Sequence, residues 1–254
     1  MRLTVLGRWS PYPPPGGACS GYLVEAAGRY ILLDSGPGVL ANLQRLITVF
    51  DLAAVVITHL HTDHVLDLFT IESVLKWGWF PRPAPPLRLF APHDAIEVLP
   101  SWMGEGARAD FENRFFFLPI VAGTAARLGP FVLRFARTTH SVPCFAVRVE
   151  AEGRVLAYSA DTGPSDEVAV LARDVHFFIC ENTLRMSEEE QASRLGHLSA
   201  RLAGRMAARA DAGSLLLTHF FTPHGDYSEE AREAAAKEFK REIFIGREME
   251  SHEV

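Results

Sequence analysis

The chain has 254 residues, 48% of them hydrophobic and 22% charged, with a net charge of −6. This is globular composition. It excludes a disordered, collagen-like or coiled-coil protein, and the acidic balance argues against a surface that grips nucleic acid throughout. No apolar run approaches the 18 or so residues of a membrane span. The opening Met1-Arg-Leu-Thr-Val develops no apolar signal-peptide core, so the expectation is an unprocessed cytoplasmic protein without a membrane partner. Cys19, Cys144 and Cys180 are too few and too irregular for a disulfide framework.

In chain order, strands are expected around Val5-Leu6, over 21–25 and over 30–34, the last two separated by Gly28. Leu40, Leu43, Leu46 and Ile47 recur at helical spacing and predict a helix ending near Phe50. A buried strand over 53–58 runs into His59-Leu-His-Thr-Asp-His64, and a helix follows over 66–76. Pro81, Pro83, Pro85 and Pro86 read as a stiff connector. Strands are then expected over 87–90, 115–119, 131–137, 144–149 and 155–158, with Glu152-Gly153 as a hairpin turn. Strands over 175–180 and 214–217 bracket a helix over 198–210, and an alanine-rich helix over 228–240 closes the chain. Central strands with outer helices suggest packed sheets covered by helices.

Two patterns recur. Leu32-Leu-Asp34-Ser-Gly36 is echoed by Ser159-Ala-Asp161-Thr-Gly163, and Val55-Val-Ile-Thr-His59 by Leu215-Leu-Leu-Thr-His219. If they mark a duplication, two halves face each other with their Asp and His ends together.

The chemistry concentrates in His59-x-His61-x-Asp63-His64. Alternate residues of an extended or tightly turned backbone point the same way, so His59 and His61 can share one ion while Asp63 and His64 turn toward a second. Such a group suits Zn²⁺ or another borderline divalent metal; without one, burial would leave nitrogens unsatisfied and a carboxylate desolvated. His140, Asp161 and His219 sit at equivalent strand ends and complete the set. His59, His61 and His140 would hold one ion, Asp63, His64 and His219 the other, and Asp161 would bridge them. Two divalent ions per chain, Zn²⁺ first and Mn²⁺ as the other candidate, point to hydrolysis, with redox chemistry on iron as a rival.

The motif Thr58-His-Leu-His-Thr-Asp-His64, followed in order by His140, Asp161 and His219, resembles the metallo-β-lactamase superfamily. The resemblance spans nearly the whole chain. It implies an α+β fold, a four-layer αββα sandwich forming a single domain over 1–254, with Asp34 structural beside the metals. Further motifs are similar to the ribonuclease Z branch: Thr139-His-Ser-Val-Pro143, Tyr158-Ser-Ala-Asp-Thr162, Glu181-Asn-Thr183 and Gly196-His-Leu-Ser-Ala200. Cys180 stands where that branch has a further His, and Leu198 is an extra residue. The resemblance implies His197 as general acid, Glu181 as its orienting partner and a homodimeric assembly; Asp63 would also hold the attacking hydroxide.

Precursor-tRNA-cleaving members carry a long arm between the third-motif His and the bridging Asp. Residues 141–160 are filled by strands and a hairpin and leave no room for it. With lysine confined to Lys76, Lys237 and Lys240, a large RNA substrate is disfavoured. The expected substrate is a small phosphodiester such as a cyclic nucleotide, with tRNA 3′-end cleavage or ester and thioester hydrolysis as alternatives. Trp9, Tyr12, Trp77, Trp79 and Phe80 are candidates for stacking on bases. His224 is a candidate substrate contact; His93, His176 and His252 are read as outside the site, with His93 and His252 facing solvent.

Overall fold

A computed structural model describes residues 1–78, 85–104 and 106–254. The strands in chain order are β1 (Arg2–Gly7), β2 (Trp9–Ser10), β3 (Gly21–Ala26), β4 (Arg29–Leu33), β5 (Leu52–Val56), β6 (Leu87–Pro92), β7 (Phe115–Ile120) and β8 (Ala125–Leu128). They continue with β9 (Phe131–Arg137), β10 (Phe145–Ala151), β11 (Arg154–Tyr158), β12 (Phe177–Glu181), β13 (Ser214–Thr218), β14 (Phe220–Phe221), β15 (Glu242–Ile245) and β16 (Ser251–Glu253). Helices α1 (Val39–Leu43), α2 (Thr62–Val65), α3 (Asp67–Trp77), α4 (Ala95–Ser101) and α5 (Ala107–Arg114) accompany the first sheet. Helices α6 (Asp166–Leu171), α7 (Ala192–Leu195), α8 (Ala200–Arg209) and α9 (Ser228–Ala236) accompany the second.

Two sheets have seven strands each, in the orders β16-β1-β3-β4-β5-β6-β7 and β15-β13-β12-β11-β10-β9-β8, and β14 pairs with β2 in a two-stranded one. Side chains alternate between faces, which sorts the core into three layers. Ile31 and Leu33 of β4 meet Leu156 and Tyr158 of β11 between the sheets. Leu32 faces the first set of helices and Ala157 the second. Parallel strands covered on both faces read as continuous apolar runs, as Leu215-Leu-Leu of β13 does. The result is a four-layer αββα sandwich of the α+β class.

Two hydroxyls cross between the sheets. Tyr22 Oη and Thr218 Oγ1 are 2.6 Å apart, and Tyr158 Oη donates to Asp34 Oδ2 at 2.9 Å. The two tyrosine rings lie side by side, their centroids 4.8 Å apart.

The topology supports one of the two sequence echoes. In both sheets an antiparallel pair leads into parallel strands: β3-β4 then β5 and β6, and β10-β11 then β12 and β13. The Asp34 and Asp161 segments therefore leave equivalent strands, β4 and β11. The second echo is out of step, because β5 adjoins β4 whereas β12 lies between β11 and β13.

Several expected boundaries move. The helix expected to reach Phe50 stops at Leu43, where the Asn42 amide donates to the Leu6 carbonyl at 2.8 Å. Thr48 then opens a separate 3-10 turn over Val49–Asp51, its backbone N–H and hydroxyl both donating to the Asp51 carboxylate at 2.8 and 2.7 Å. The helix expected to close the chain ends at Ala236, where the Lys240 ammonium donates to the Ala236 and Lys237 carbonyls. Strands β15 and β16 follow it, one on each sheet. Strand β8 and helices α4, α5 and α6 were not anticipated. The expected proline connector falls partly outside the described residues, with Pro81 and Pro83. Among the described residues no helix is long and apolar enough to cross a membrane.

Replacing Tyr158 by Phe removes the cross-sheet donor to a buried carboxylate. The expected loss in urea unfolding is about 1.5–3 kcal/mol, the range for a hydrogen bond to a charged group.

Candidate active site and metal centre

The candidate residues gather at the carboxyl ends of parallel strands, the edge where sheets of this kind present ligand sites. His59 follows β5, and His61 is the residue from which α2 starts, placing Asp63 and His64 in its single turn. Asp161 follows β11, Glu181 ends β12 and His219 follows β13. His140 lies between β9 and β10, and His197 between α7 and α8. The turn sits hard on the segment after β4: Ser35 N–H donates to the His64 carbonyl at 2.7 Å. A Cβ on Gly36 would come within 1.9 Å of the Asp63 carbonyl oxygen, so only glycine fits there.

Three overlapping groups of ligating atoms result: His59, His61, His140 and Asp161; Asp63, His64 and His219; and Asp161, His197 and His219, each with its donor atoms within 4.8 Å of one another. In the first, His140 Nε2 and His61 Nδ1 are 3.1 Å apart, and Asp161 Oδ2 is 3.6 Å from His59 Nε2 and 3.8 Å from His140 Nε2. In the second, His64 and His219 point their Nε2 atoms at each other across 3.0 Å, with Asp63 Oδ2 3.8 and 3.5 Å away. Asp161 Oδ1 reaches the same two nitrogens at 3.3 and 3.2 Å. Asp161 therefore stands between the first two groups, one oxygen to each.

Hydrogen bonds behind the rings set which nitrogen faces inward. His140 Nδ1 donates to the Gly196 carbonyl at 2.9 Å, and His64 Nδ1 donates to Asp34 Oδ2 at 2.7 Å. His219 Nδ1 donates to Thr183 Oγ1 at 2.8 Å, and that hydroxyl donates to Glu181 Oε2 at 2.6 Å. Each arrangement occupies Nδ1 and leaves Nε2 facing the cluster. Asp34 also accepts from Thr58 N–H and Thr58 Oγ1 at 2.8 and 2.9 Å, holding the strand end that carries His59.

The donor set fits a pair of divalent cations. His59 Nε2 and Asp161 Oδ1 are buried without a hydrogen-bond partner among the described residues, a cost of about 1–3 kcal/mol for each such group left unmet. Burial holds His59, His61 and His140 below the ordinary imidazole range. Against burial, the surrounding imidazoles keep Asp63 and Asp161 below the usual carboxylate range. Those are the protonation states that metal binding requires. His64 differs: against burial, Asp161, Asp34 and Asp63 hold it above its ordinary value, so a proton must leave when a cation binds.

Beside the cluster opens a cavity of about 690 Å³ lined by His61, Asp63, Asp161 and His197, with Leu60, Trp102, Leu184, Leu195 and Phe221 as its apolar wall. His197 Nδ1 donates to Glu181 Oε1 at 2.8 Å. Burial disfavours the imidazolium, yet the Glu181 carboxylate outweighs it and raises His197 to about 9. Glu181 is buried and also accepts from Thr162 and Thr183 N–H groups at 2.9 and 3.0 Å.

All nine sequence candidates thus meet in one place, and His224 lines the same cavity. The expected stacking aromatics do not. Trp9 is buried in β2 against Phe220, Tyr12 and Trp77 lie outside the lining, and Trp79 and Phe80 are outside the described residues. Trp102 and Phe221 take that place. His252 is buried between Phe177 and Phe244 rather than facing solvent, whereas His93 is exposed as read. The sequence reading gave no role to Thr58, Tyr158 or Thr183 as orienting groups; the position of Thr58 immediately before His59 was the available signal.

A family model described as a beta-lactamase superfamily domain matches residues 29–220. The chain belongs to the metallo-β-lactamase superfamily. The probable metallo-hydrolase YhfI of Bacillus subtilis is 28% identical over 248 residues, 97% of either chain. Its crystal structure superposes with a TM-score of 0.87 at 25% identity over 99% of both chains. Ribonuclease Z of Mycobacterium bovis is 30% identical over 278 residues, covering 100% of this chain and 98% of that one. The short form of human tRNase Z shares the fold, with a TM-score of 0.80 at 20% identity over 100% of this chain and 99% of that one.

Zinc added to chelator-treated protein should raise the melting temperature, since a ligand bound only by the folded state stabilises it. His61→Ala and Asp161→Ala should each weaken that response and lower the bound metal measured by elemental analysis. Because His64 must give up a proton, zinc affinity measured by calorimetry should increase from pH 6 to pH 8.

Proposed function

We propose that the protein is a binuclear metal-dependent phosphodiesterase acting on a small phosphodiester such as a cyclic nucleotide, with Zn²⁺ as the first candidate metal and Mn²⁺ as the second. The observation that carries this reading is the Asp161 carboxylate shared between converging ligand groups, opening on a cavity of about 690 Å³. His59, His61, His140 and Asp161 would hold one ion, and Asp63, His64, His219 and Asp161 the other. Such a pair supplies Lewis acidity toward a phosphoryl oxygen and acidifies water.

The chain's own residues carry the remaining steps. Asp63 accepts a hydrogen bond from the attacking water and orients it toward phosphorus. His197, fixed through Nδ1 by Glu181, presents Nε2 as the proton donor to the leaving alkoxide oxygen. Glu181 keeps that imidazole protonated and fixes its plane. Asp34 touches no substrate and acts by holding His64 and Thr58. Leu60, Trp102 and Phe221 exclude water and pack against the organic part of the substrate.

The lining residues include no lysine or arginine among those described. A polyanion would gain no counterion-release affinity from such a wall, which favours a single phosphodiester over a long RNA. The 98% coverage of the Mycobacterium bovis ribonuclease Z supports tRNA 3′-end cleavage as a second reading. A single-domain cytoplasmic homodimer is consistent with the proposal.

The test is hydrolysis of bis(p-nitrophenyl) phosphate and of 2′,3′- and 3′,5′-cyclic nucleotides after chelation and metal restoration, alongside a precursor tRNA. Metal-restored turnover of the small diesters is expected. Efficient tRNA cutting with inert cyclic nucleotides would replace this reading by the second. His197→Ala should keep its metal and lose about 10²–10⁴-fold in kcat. The donor must be protonated, so kcat should fall as pH rises through the His197 pKa. Glu181→Gln removes the charge that raises it and should move that alkaline fall to lower pH.

A further inference from the structure

The cavity carries a second polar group that the hydrolytic step does not use. His224 Nε2 lies 3.2 Å from Glu188 Oε2; a carboxylate only accepts, so the ring donates there, and a neutral imidazole donating through Nε2 has Nδ1 as its acceptor. Arg185 ties both to one frame. Its backbone N–H donates to Glu188 Oε2 at 2.9 Å, and its guanidinium donates to the His224 carbonyl at 2.8 Å. Phe221 and Tyr227 meet the imidazole edge-on, with centroids 4.9 and 5.9 Å away. Side-chain exposures of 20% and 37% leave His224 and Glu188 within reach of a ligand. Both line the cavity that also holds His61, Asp63 and His197.

The polarity of this wall decides what it can receive. Its acceptors are the Glu188 carboxylate and, in the neutral ring, His224 Nδ1, and the described lining supplies no lysine or arginine to balance a phosphate brought against them. The Glu188 carboxylate disfavours an anion here, which the protonated His197 and the cations the His/Asp cluster would hold draw away, while neutral N–H and O–H groups are matched. Trp102 and Phe221 add apolar faces suited to a flat ring. We infer that Glu188 and His224 form a recognition subsite for the hydrogen-bond-donor edge of a nucleoside, a base amino group or a sugar hydroxyl, and thereby fix which way the diester lies in the cavity. The inference rests on the phosphodiesterase reading and adds to it a substrate class.

The experiment compares kcat/KM for 3′,5′-cyclic AMP with that for bis(p-nitrophenyl) phosphate, which offers no donor edge, in the zinc-loaded protein. In Glu188→Gln, where one accepting oxygen becomes a donor, the ratio of the two should fall about tenfold or more. His224→Phe should lower it in the same direction. The unmodified protein supplies a test independent of folding: loss of either the 6-amino group or the 2′-hydroxyl from the cyclic nucleotide should reduce kcat/KM by a similar factor. The analogue that suffers identifies which donor is read. A ratio unchanged within about twofold in both variants, or full activity on both analogues, overturns the subsite while leaving the phosphodiesterase reading intact. Absence of turnover on both reference substrates overturns that reading and the subsite with it.

Discussion

One buried carboxylate organises the site. Asp34 leaves β4 in a left-handed conformation, φ 59°, and accepts from four donors: the Thr58 N–H and hydroxyl, the His64 ring and the Tyr158 hydroxyl. Three of these belong to the first half of the chain, and the fourth arrives from the second sheet. A carboxylate taken out of water is tolerated only when its lone pairs are met. Meeting them here fixes the strand end before His59, the tautomer of His64 and the approach of the two sheets together. His219, likewise left-handed at φ 61°, is held from the other side by Thr183 and through it by Glu181.

From these two anchors the chemistry divides by burial. The cluster of imidazoles and carboxylates is nearly closed to solvent, which concentrates its demand for cations. His197 sits at the border, its ring partly exposed to the cavity and its Nδ1 bound to a buried glutamate. The low dielectric strengthens the Glu181–His197 pairing, so a histidine next to a cation-binding cluster can still carry a proton. The same cavity wall is apolar at Leu60, Trp102 and Phe221 and polar at Glu188 and His224.

Much of this was legible in the sequence where short-range spacing does the work. His59, His61, Asp63 and His64 lie within one strand-to-helix turn, and the strands that deliver His140, Asp161 and His219 are strongly apolar, so the ligand set could be read from position. The fold was legible for the same reason: parallel strands buried on both faces announce themselves. What could not be read depends on distant segments. The pairing of Glu188 with His224 joins residues 36 apart in the chain. Trp102 becomes a cavity wall through its contact with Phe69, which no local pattern encodes. His252 was misread because its burial comes from Phe177 and Phe244, one on β12 and one on β15. Strands β15 and β16 were missed because four- and three-residue segments carry too little periodicity to stand out.

The central claim is that the His/Asp cluster is a two-cation site shared through Asp161. Anomalous diffraction from crystals of the zinc-loaded protein, collected above and below the zinc absorption edge, tests it most directly. Two peaks about 3.5–4 Å apart are expected, one among His59, His61 and His140, the other among Asp63, His64 and His219, with Asp161 between them. A single peak, or two peaks that Asp161 does not bridge, would contradict it.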